Sequence, residues 1–173
     1  MYHRQQTEPQ FDCLEVICFR VDEAIFYGIW FSDDETDGFL LEDSSVKIFD
    51  SESAAFAFLQ SFSSYQKTIG LTVYDVNQIV QIIMGTRVPN PCSILDFWNI
   101  VGDLANSTGI PYEGNQRDRL TNGIYDKLFC GSNLPTINTS GRIYVPQFTQ
   151  EESIRLTEIL IDGIAHIRKI LAE

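Results

Sequence analysis

The sequence has few of the residues on which metal and cofactor sites usually depend. Only two histidines occur among 173 residues, so a pair of histidines at zinc-binding spacing is absent. The four cysteines form no C-x-x-C pair, and we expect them to be reduced and mostly buried. No glycine-rich phosphate loop or dinucleotide-binding fingerprint is present. We therefore expect no cofactor, no metal ion and no catalytic residues.

Long apolar runs are also missing. No stretch approaches the roughly 18 apolar residues that a membrane-spanning helix needs, and residues 1–10 lack the apolar centre of a secretion signal. These absences predict a cytoplasmic protein that does not bind membranes. The apolar fraction is nevertheless 44%, with 12 phenylalanines, which is enough for a folded core.

Basic residues are scarce relative to acidic ones. Twelve lysines and arginines face 24 aspartates and glutamates, and residues 1–60 alone hold 13 acidic and 3 basic side chains. This charge disfavours nucleic acid and anionic membranes and favours a basic protein partner, although a merely solvated acidic face would also account for it. Our candidate partner contacts are the acidic residues of one loop-rich segment, Asp33, Asp34, Glu35, Asp37, Glu42 and Asp43.

The order of predicted elements indicates an α+β fold. Residues 11–20 and 24–31 are rich in β-branched and aromatic residues and predict a hairpin, and two further short strands are expected at 39–41 and 46–49. We predict helices after residue 50, so that an N-terminal, mainly antiparallel sheet precedes a packed set of helices. We expect one domain over 1–173, β-rich at 11–49 and helical at 50–173, with a small hairpin near 136–146.

One helix has the most complete signals. Asn90 can cap its start, Pro91 suits its first position, and Gly109 can end it in a left-handed conformation. Its apolar residues recur at helical spacing and predict a buried stripe, formed by Ile94, Phe97, Trp98, Val101, Leu104 and Ala105. Acidic and amide residues occupy the other side, namely Asp96, Asn99, Asp103 and Asn106. We expect this helix to organise the core and the acidic first third to carry the function.

Two segments within the C-terminal half carry a family resemblance. Residues 95–105, LDFWNIVGDLA, and residues 125–135, YDKLFCGSNLP, resemble immunity proteins of contact-dependent growth inhibition systems. The resemblance covers roughly 91–171 and implies a non-enzymatic protein that binds the toxin domain of a cognate effector. It carries over no functional residue, and we expect Trp98 and Asn99 to serve helix packing and a local hydrogen bond.

The resemblance and the charge together predict the partner. A nuclease toxin needs a basic surface to hold phosphates, so we expect the acidic segment to cover the active site of a ribonuclease-like toxin in a 1:1 complex with a monomer. One alternative is an acidic adaptor for another basic protein. A second is a small carboxylate-dependent hydrolase, which a deep pocket holding two or more carboxylates would favour. The pair Asp162 and His166 is expected to be a helix-surface contact.

Overall fold

A computed structural model describes residues 11–61, 70–136, 138–139 and 141–172. Its strands are β1 Cys13–Val21, β2 Ala24–Ser32, β3 Asp37–Phe39, β4 Leu41–Glu42, β5 Ser45–Val46 and β6 Gly70–Asp75. Its helices are α1 Glu52–Leu59, α2 Val76–Ile83, α3 Pro91–Thr108, α4 Arg119–Gly131 and α5 Gln150–Ala172, with a 3-10 turn at Glu113–Asn115. The predicted α+β class is confirmed.

The main sheet has the strand order β3-β2-β1-β6. The predicted hairpin is confirmed, since β1 and β2 pair antiparallel along their whole length, from Cys13 opposite Ser32 to Val21 opposite Ala24. The two short strands predicted at 39–41 and 46–49 are replaced by β3, by the small β4–β5 hairpin and by an isolated bridge between Tyr27 and Phe49.

Strand β6 was not predicted, and it makes the sheet mixed because it pairs parallel to β1. Its alternation is inverted, since Leu71 and Val73 are exposed while Thr72 and Tyr74 face inward. An apolar residue normally points to the core of a strand, so the pattern did not indicate a strand here. The sheet edge therefore depends on a segment that follows α1 in the chain.

Both faces of the sheet are covered. On one face, Leu14, Val16 and Ile29 pack with Ala55 and Leu59 of α1. The opposite face joins the larger core, in which α2, α3, α4 and α5 contribute most of the buried side chains. Because β1 lies between these layers, its residues from Val16 to Phe19 are all buried. Helix α3 packs between the sheet and α5 and so occupies the centre of the fold.

The helix boundaries follow the predicted caps. Asn90 Oδ1 accepts hydrogen bonds from the backbone N–H groups of Cys92 (3.0 Å) and Ser93 (3.5 Å), and Gly109 ends α3 at φ 70°. The capping box of α5 is also formed, because Thr149 N–H donates to Glu152 Oε2 and Glu152 N–H donates to Thr149 Oγ1. In the described part of the chain, none of the helices combines the length and apolarity of a bilayer span.

The hairpin predicted near 136–146 is not found among the described residues of that segment, which contain no strand. Residues 137 and 140 lie outside the description, and 140 belongs to the predicted turn. A single side chain substitutes for a pairing strand: Asn133 Oδ1 accepts from Tyr144 N–H at 2.7 Å, and Asn133 Nδ2 donates to Tyr144 O at 3.0 Å. With both backbone groups satisfied by an amide, Tyr144 needs no partner strand.

Candidate functional site

The predicted contact residues divide into two groups. The first is the loop between β2 and β3, where Asp33 Oδ1 accepts from the N–H groups of Glu35 (2.9 Å) and Thr36 (2.7 Å). These hydrogen bonds hold the pKa of the Asp33 carboxyl below its usual range. Asp33 therefore shapes the turn, whereas Asp34, Glu35 and Asp37 are exposed on it.

The second group lies at the turn between β4 and β5. Glu42 and Asp43 are both exposed, and Asp43 has a left-handed backbone at φ 51°. Glu42 forms an ion pair with Lys47, whose ammonium also lies 4.9 Å from the centre of the Phe58 ring. The six predicted residues thus form two small exposed surfaces, and their contact with a partner stays a prediction.

A half-open groove lies on the polar face of α3, near these surfaces. It encloses a volume of about 780 Å³. One wall comes from the sheet, the floor from α3, and the other wall from the 3-10 turn and α4. The polar and aromatic residues that line it are Glu15, Trp30, Asp37, Tyr74, Asp96, Trp98, Asn99, Asp103, Asn106, Asn115, Arg117, Thr121, Asn122, Tyr125 and Asp126.

The floor is the acidic and amide side of α3 seen in the sequence. At about 100° per residue, positions 96, 99, 103 and 106 share one face of the helix. Their side chains are Asp96, Asn99, Asp103 and Asn106, and all four line the groove. The opposite face of α3 is buried, where Phe97 and Val101 meet the site of Gly163 in α5. Burial of one face thus directs the carboxylates of the other into the groove.

Hydrogen bonds connect the floor to both walls. Trp30 Nε1 of β2 donates to Asp103 Oδ2 at 2.9 Å. On the other side, Tyr125 OH of α4 donates to Asn99 Oδ1 at 3.0 Å, and Asn115 Nδ2 donates to Asn106 Oδ1 at 3.0 Å. These contacts fix the positions of the polar side chains before any partner arrives.

The charge within the groove is strongly negative. Five lining residues are carboxylates and one, Arg117, is cationic. Among the described residues, no lysine or arginine forms an ion pair with Glu15, Asp96 or Asp103. Glu15 and Asp103 are half-buried, whereas Asp96 is exposed. Carboxylates that are partly removed from water without a cation nearby are costly, so a cation placed in this groove would be stabilised.

Burial changes the proton affinity of the floor. Desolvation raises the pKa of the Asp96 carboxyl. Desolvation also raises the pKa of Asp103, with a smaller contribution from the charge of Asp37, while the hydrogen bond from Trp30 acts in the opposite direction. The pKa of the Tyr74 hydroxyl is raised as well, first by burial and then by the charges of Asp96 and its neighbours. Among the six predicted contact residues, Asp37 is the one that lines this groove.

Aromatic rings line the groove between the acids. Trp30 and Tyr74 belong to the sheet wall, and Tyr125 belongs to the α4 wall, where its ring meets Trp98 edge-on at 5.7 Å between centroids. Trp98 itself is buried and its Nε1 donates to Gly114 O at 3.0 Å. The expected packing role of Trp98 is thus confirmed, but the hydrogen bond of Asn99 is not local, since its partner Tyr125 lies 26 residues further along the chain. Carboxylates beside aromatic faces form a suitable environment for guanidinium or ammonium groups.

The remaining candidates lie away from the groove. His166 is buried in α5, where its Nδ1 lies 2.9 Å from Asp162 O and its ring meets Tyr112 edge-on. The expected contact with Asp162 is present, since Asp162 Oδ2 lies 3.8 Å from Nδ1. Its expected position on the helix surface is wrong, because His166 is a core residue. Among the described residues, no group of three or more histidine, cysteine, aspartate or glutamate side chains could hold a metal ion.

Sequence reasoning identified the floor of the groove but not the groove itself. The polar stripe of α3 was visible, yet Glu15, Trp30 and Tyr74 come from distant positions in the chain. Their convergence requires the pairing of β1 with both β2 and β6. The sequence did contain one signal for the groove, namely a stripe with carboxylates on a helix whose other side is apolar. Burial of the apolar side places these acids close to the core.

Comparison with known proteins identifies no family for the chain. No family model matches it, and no curated protein is similar to it. A solved structure described as "The crystal structure of SatS c-terminal domain in complex with bromine" is similar to it, with a TM-score of 0.46 and 14% identity over 92% of this chain and 91% of that one. The resemblance to immunity proteins therefore stays a prediction.

Proposed function

We propose that the protein is an immunity protein that binds and neutralises a basic toxin domain, with the α3 groove as the main anchoring surface. The observation that supports this is the groove itself, in which unpaired carboxylates and aromatic rings are held in place by hydrogen bonds. A lysine or arginine of the toxin would enter the groove and pair with Asp96 and Asp103. The partner would supply the cation that the groove lacks.

The exposed acidic loop has a different part in this proposal. Asp34, Glu35 and Asp37 lie on the loop that borders the groove through Asp37. Exposed charges contribute little to affinity but accelerate the encounter of oppositely charged proteins, to roughly 10⁸ M⁻¹s⁻¹ or more at low salt. The loop would therefore guide a basic toxin toward the groove, and the groove would hold it.

A groove variant, a loop variant and a control variant separate the roles of the groove and the loop. The groove variant D96N/D103N removes two negative charges and keeps the side-chain shapes. The control variant Glu23→Gln with Asp50→Asn removes two exposed acids that lie outside the groove, in residues 1–60. The control and the groove variant therefore have the same net charge. Each is co-expressed with the toxin domain encoded directly upstream, because immunity genes of these systems directly follow their toxin genes. Cell survival and co-purification are then scored.

We expect the groove variant to lose co-purification and the control to retain it. Truncating one partner of a buried charge pair costs about 2–5 kcal/mol. Because Asp103 is half-buried and Asp96 is exposed, we expect the lower end, which corresponds to roughly a 30-fold loss of affinity. The loop variant D33N/D34N/E35Q, which leaves the groove-lining Asp37 unchanged, should mainly slow association and reduce its salt dependence. Equal losses in the groove and control variants would show that net charge alone matters and that the groove is not the anchor.

One observation favours the hydrolase alternative, namely that Glu15, Asp96 and Asp103 line the same groove. A carboxyl with a raised pKa, as at Asp103, is the kind of group that can act as a general acid. This alternative predicts turnover of chromogenic glycosides or esters by the purified protein, abolished in D103N. The adaptor alternative instead predicts that no toxin domain is encoded directly upstream.

A further inference from the structure

We propose that two copies of this chain associate through the outer face of α5, in an antiparallel arrangement. The face is a stripe of exposed residues at alternating steps of four and three along the helix, namely Ile154, Glu158, Ile161, Ala165, Arg168 and Ala172. This spacing is the one by which two helices align side by side along a common seam. Ile154 and Ile161 are 55% and 53% exposed, which is unusual for isoleucine.

Grooves on both sides of the stripe extend the apolar surface. Ile161 and Ala165 border a groove of about 530 Å³ whose other wall is the end of α2, with Ile83 and the 70%-exposed Met84. Ile154 and Glu158 border another groove beside Leu120 of α4. A helix laid along α5 would fill both grooves.

Charge complementarity identifies the occupant as a second copy running in the opposite direction. With the two-fold axis between Ile161 and Ala165, each Ile161 faces Ala165 of the other copy, and Ile154 faces Ala172. Glu158 then faces Arg168 of the other copy, and symmetry repeats this opposite-charge contact twice. In a parallel pair Glu158 would face Glu158 and Arg168 would face Arg168, which would repel.

The present partners of these two charges leave them accessible. Arg168 Nη2 lies 3.0 Å from Asp22 Oδ1, and Glu158 Oε2 lies 3.4 Å from Arg155 Nη1. Arg168 and Glu158 are 50% and 57% exposed, and exposed pairs contribute little. A guanidinium has five N–H donors, so Arg168 can contact Asp22 and a second carboxylate together.

The association leaves the α3 groove open. Gly163 of α5 meets Phe97 and Val101 on the buried side of α3. At about 100° per residue, Ile161 and Ala165 lie on the face of α5 opposite to this contact. On α3, Asn99 and Asp103 likewise lie on the face opposite to it. The two surfaces are therefore back to back, and the assembly with toxin would be 2:2 rather than the 1:1 complex expected from the sequence.

Sedimentation equilibrium of the purified full chain tests the proposal, at about 0.15 M salt so that the repulsion between two acidic copies is screened beyond roughly 8 Å. We expect a reversible dimer with a dissociation constant on the order of 10⁻⁵ M. Ile161→Glu should make the protein monomeric, whereas Ile25→Glu, at 52% exposure on β2, should not. A monomer at all concentrations, or a dimer that survives Ile161→Glu, would overturn the proposal.

Charge reversal tests the antiparallel alignment. Glu158→Arg and Arg168→Glu should each weaken the dimer about tenfold or more, because each places like charges together twice. The double variant E158R/R168E should restore it to within about threefold of wild type, since the opposite-charge contacts re-form in reverse. Circular dichroism confirms that each variant keeps its helix content. Failure of the double variant to restore the dimer would contradict this alignment, whatever the outcome of the toxin experiment.

Discussion

Gly163 should tolerate no side chain, although it lies in the middle of a helix. A Cβ at this position would lie 2.9 Å from Phe97 Cε1, 3.2 Å from Phe97 Cζ and 3.4 Å from Val101 Cγ2. The side chain of Phe97 is almost fully buried, at 2% exposure, so the ring cannot turn out into solvent. Gly163→Ala would therefore force α5 away from α3.

The chain supplies a matched control for this change. Gly123 lies within α4, and no atom lies within 4 Å of a Cβ built there. Glycine in a helix interior costs about 0.8–1.0 kcal/mol relative to alanine, so Gly123→Ala should stabilise the protein by about that amount. Overpacking a core costs about 1–3 kcal/mol. At position 163 this cost should cancel or exceed the gain in helix propensity from replacing glycine with alanine.

We therefore expect the free energy of unfolding of Gly163→Ala to be about 1–3 kcal/mol lower than that of Gly123→Ala. Urea denaturation measures this difference, and an unchanged m-value would show that both variants unfold to similar states. In thermal unfolding the same difference corresponds to roughly 2–4 °C per kcal/mol for a chain of this size. Equal stabilisation by the two alanines would refute the close contact between α5 and α3.

Two further predictions concern α3. Asn90→Ala removes the side chain that caps α3 and should lower the free energy of unfolding by about 1 kcal/mol, whereas Asn90→Asp keeps an acceptor and should not. D96N/D103N removes carboxyls whose pKa burial raises, so the stability of the wild type relative to the variant should rise as the pH falls through their folded-state range. The variant should thus be more stable at pH 7, with the difference closing near pH 4, about the pKa of an unfolded aspartate. Urea denaturation measures the free energy of unfolding of the Asn90 variants at one pH and of D96N/D103N across this pH range. Parallel pH profiles for the wild type and D96N/D103N would contradict the prediction for these carboxyls.

Local sequence was sufficient where local chemistry determines structure. The boundaries of α3 follow from Asn90 and Gly109, and the capping box of α5 follows from Thr149 and Glu152. Asn90, Thr149 and Glu152 satisfy backbone groups three or fewer residues away, and Gly109 ends α3 through its own left-handed backbone, so neighbouring residues determine the outcome. The buried stripe of α3 was predictable for the same reason, since its periodicity is local.

Features that depend on distant pairing were not predictable. Strand β6 was missed because Leu71 and Val73 face outward. The groove was missed because Trp30 reaches Asp103 across 73 positions of the chain. No local pattern indicates that these residues meet. The partial burial of Asp103 is likewise a consequence of the surrounding walls, which the helix sequence does not specify.

The parallel pairing of β1 with β6 also affects how the chain folds during synthesis. Strands β1 and β2 can pair as soon as both have left the ribosome, but the other edge of β1 has to wait for residues 70–75. At about 5–20 residues per second, that delay, from residue 32 to residue 75, is roughly 2–9 s. During this time a highly apolar strand has an open edge on which another nascent chain could pair. Slower translation between α1 and β6 should therefore lower the yield of folded protein without changing its final stability.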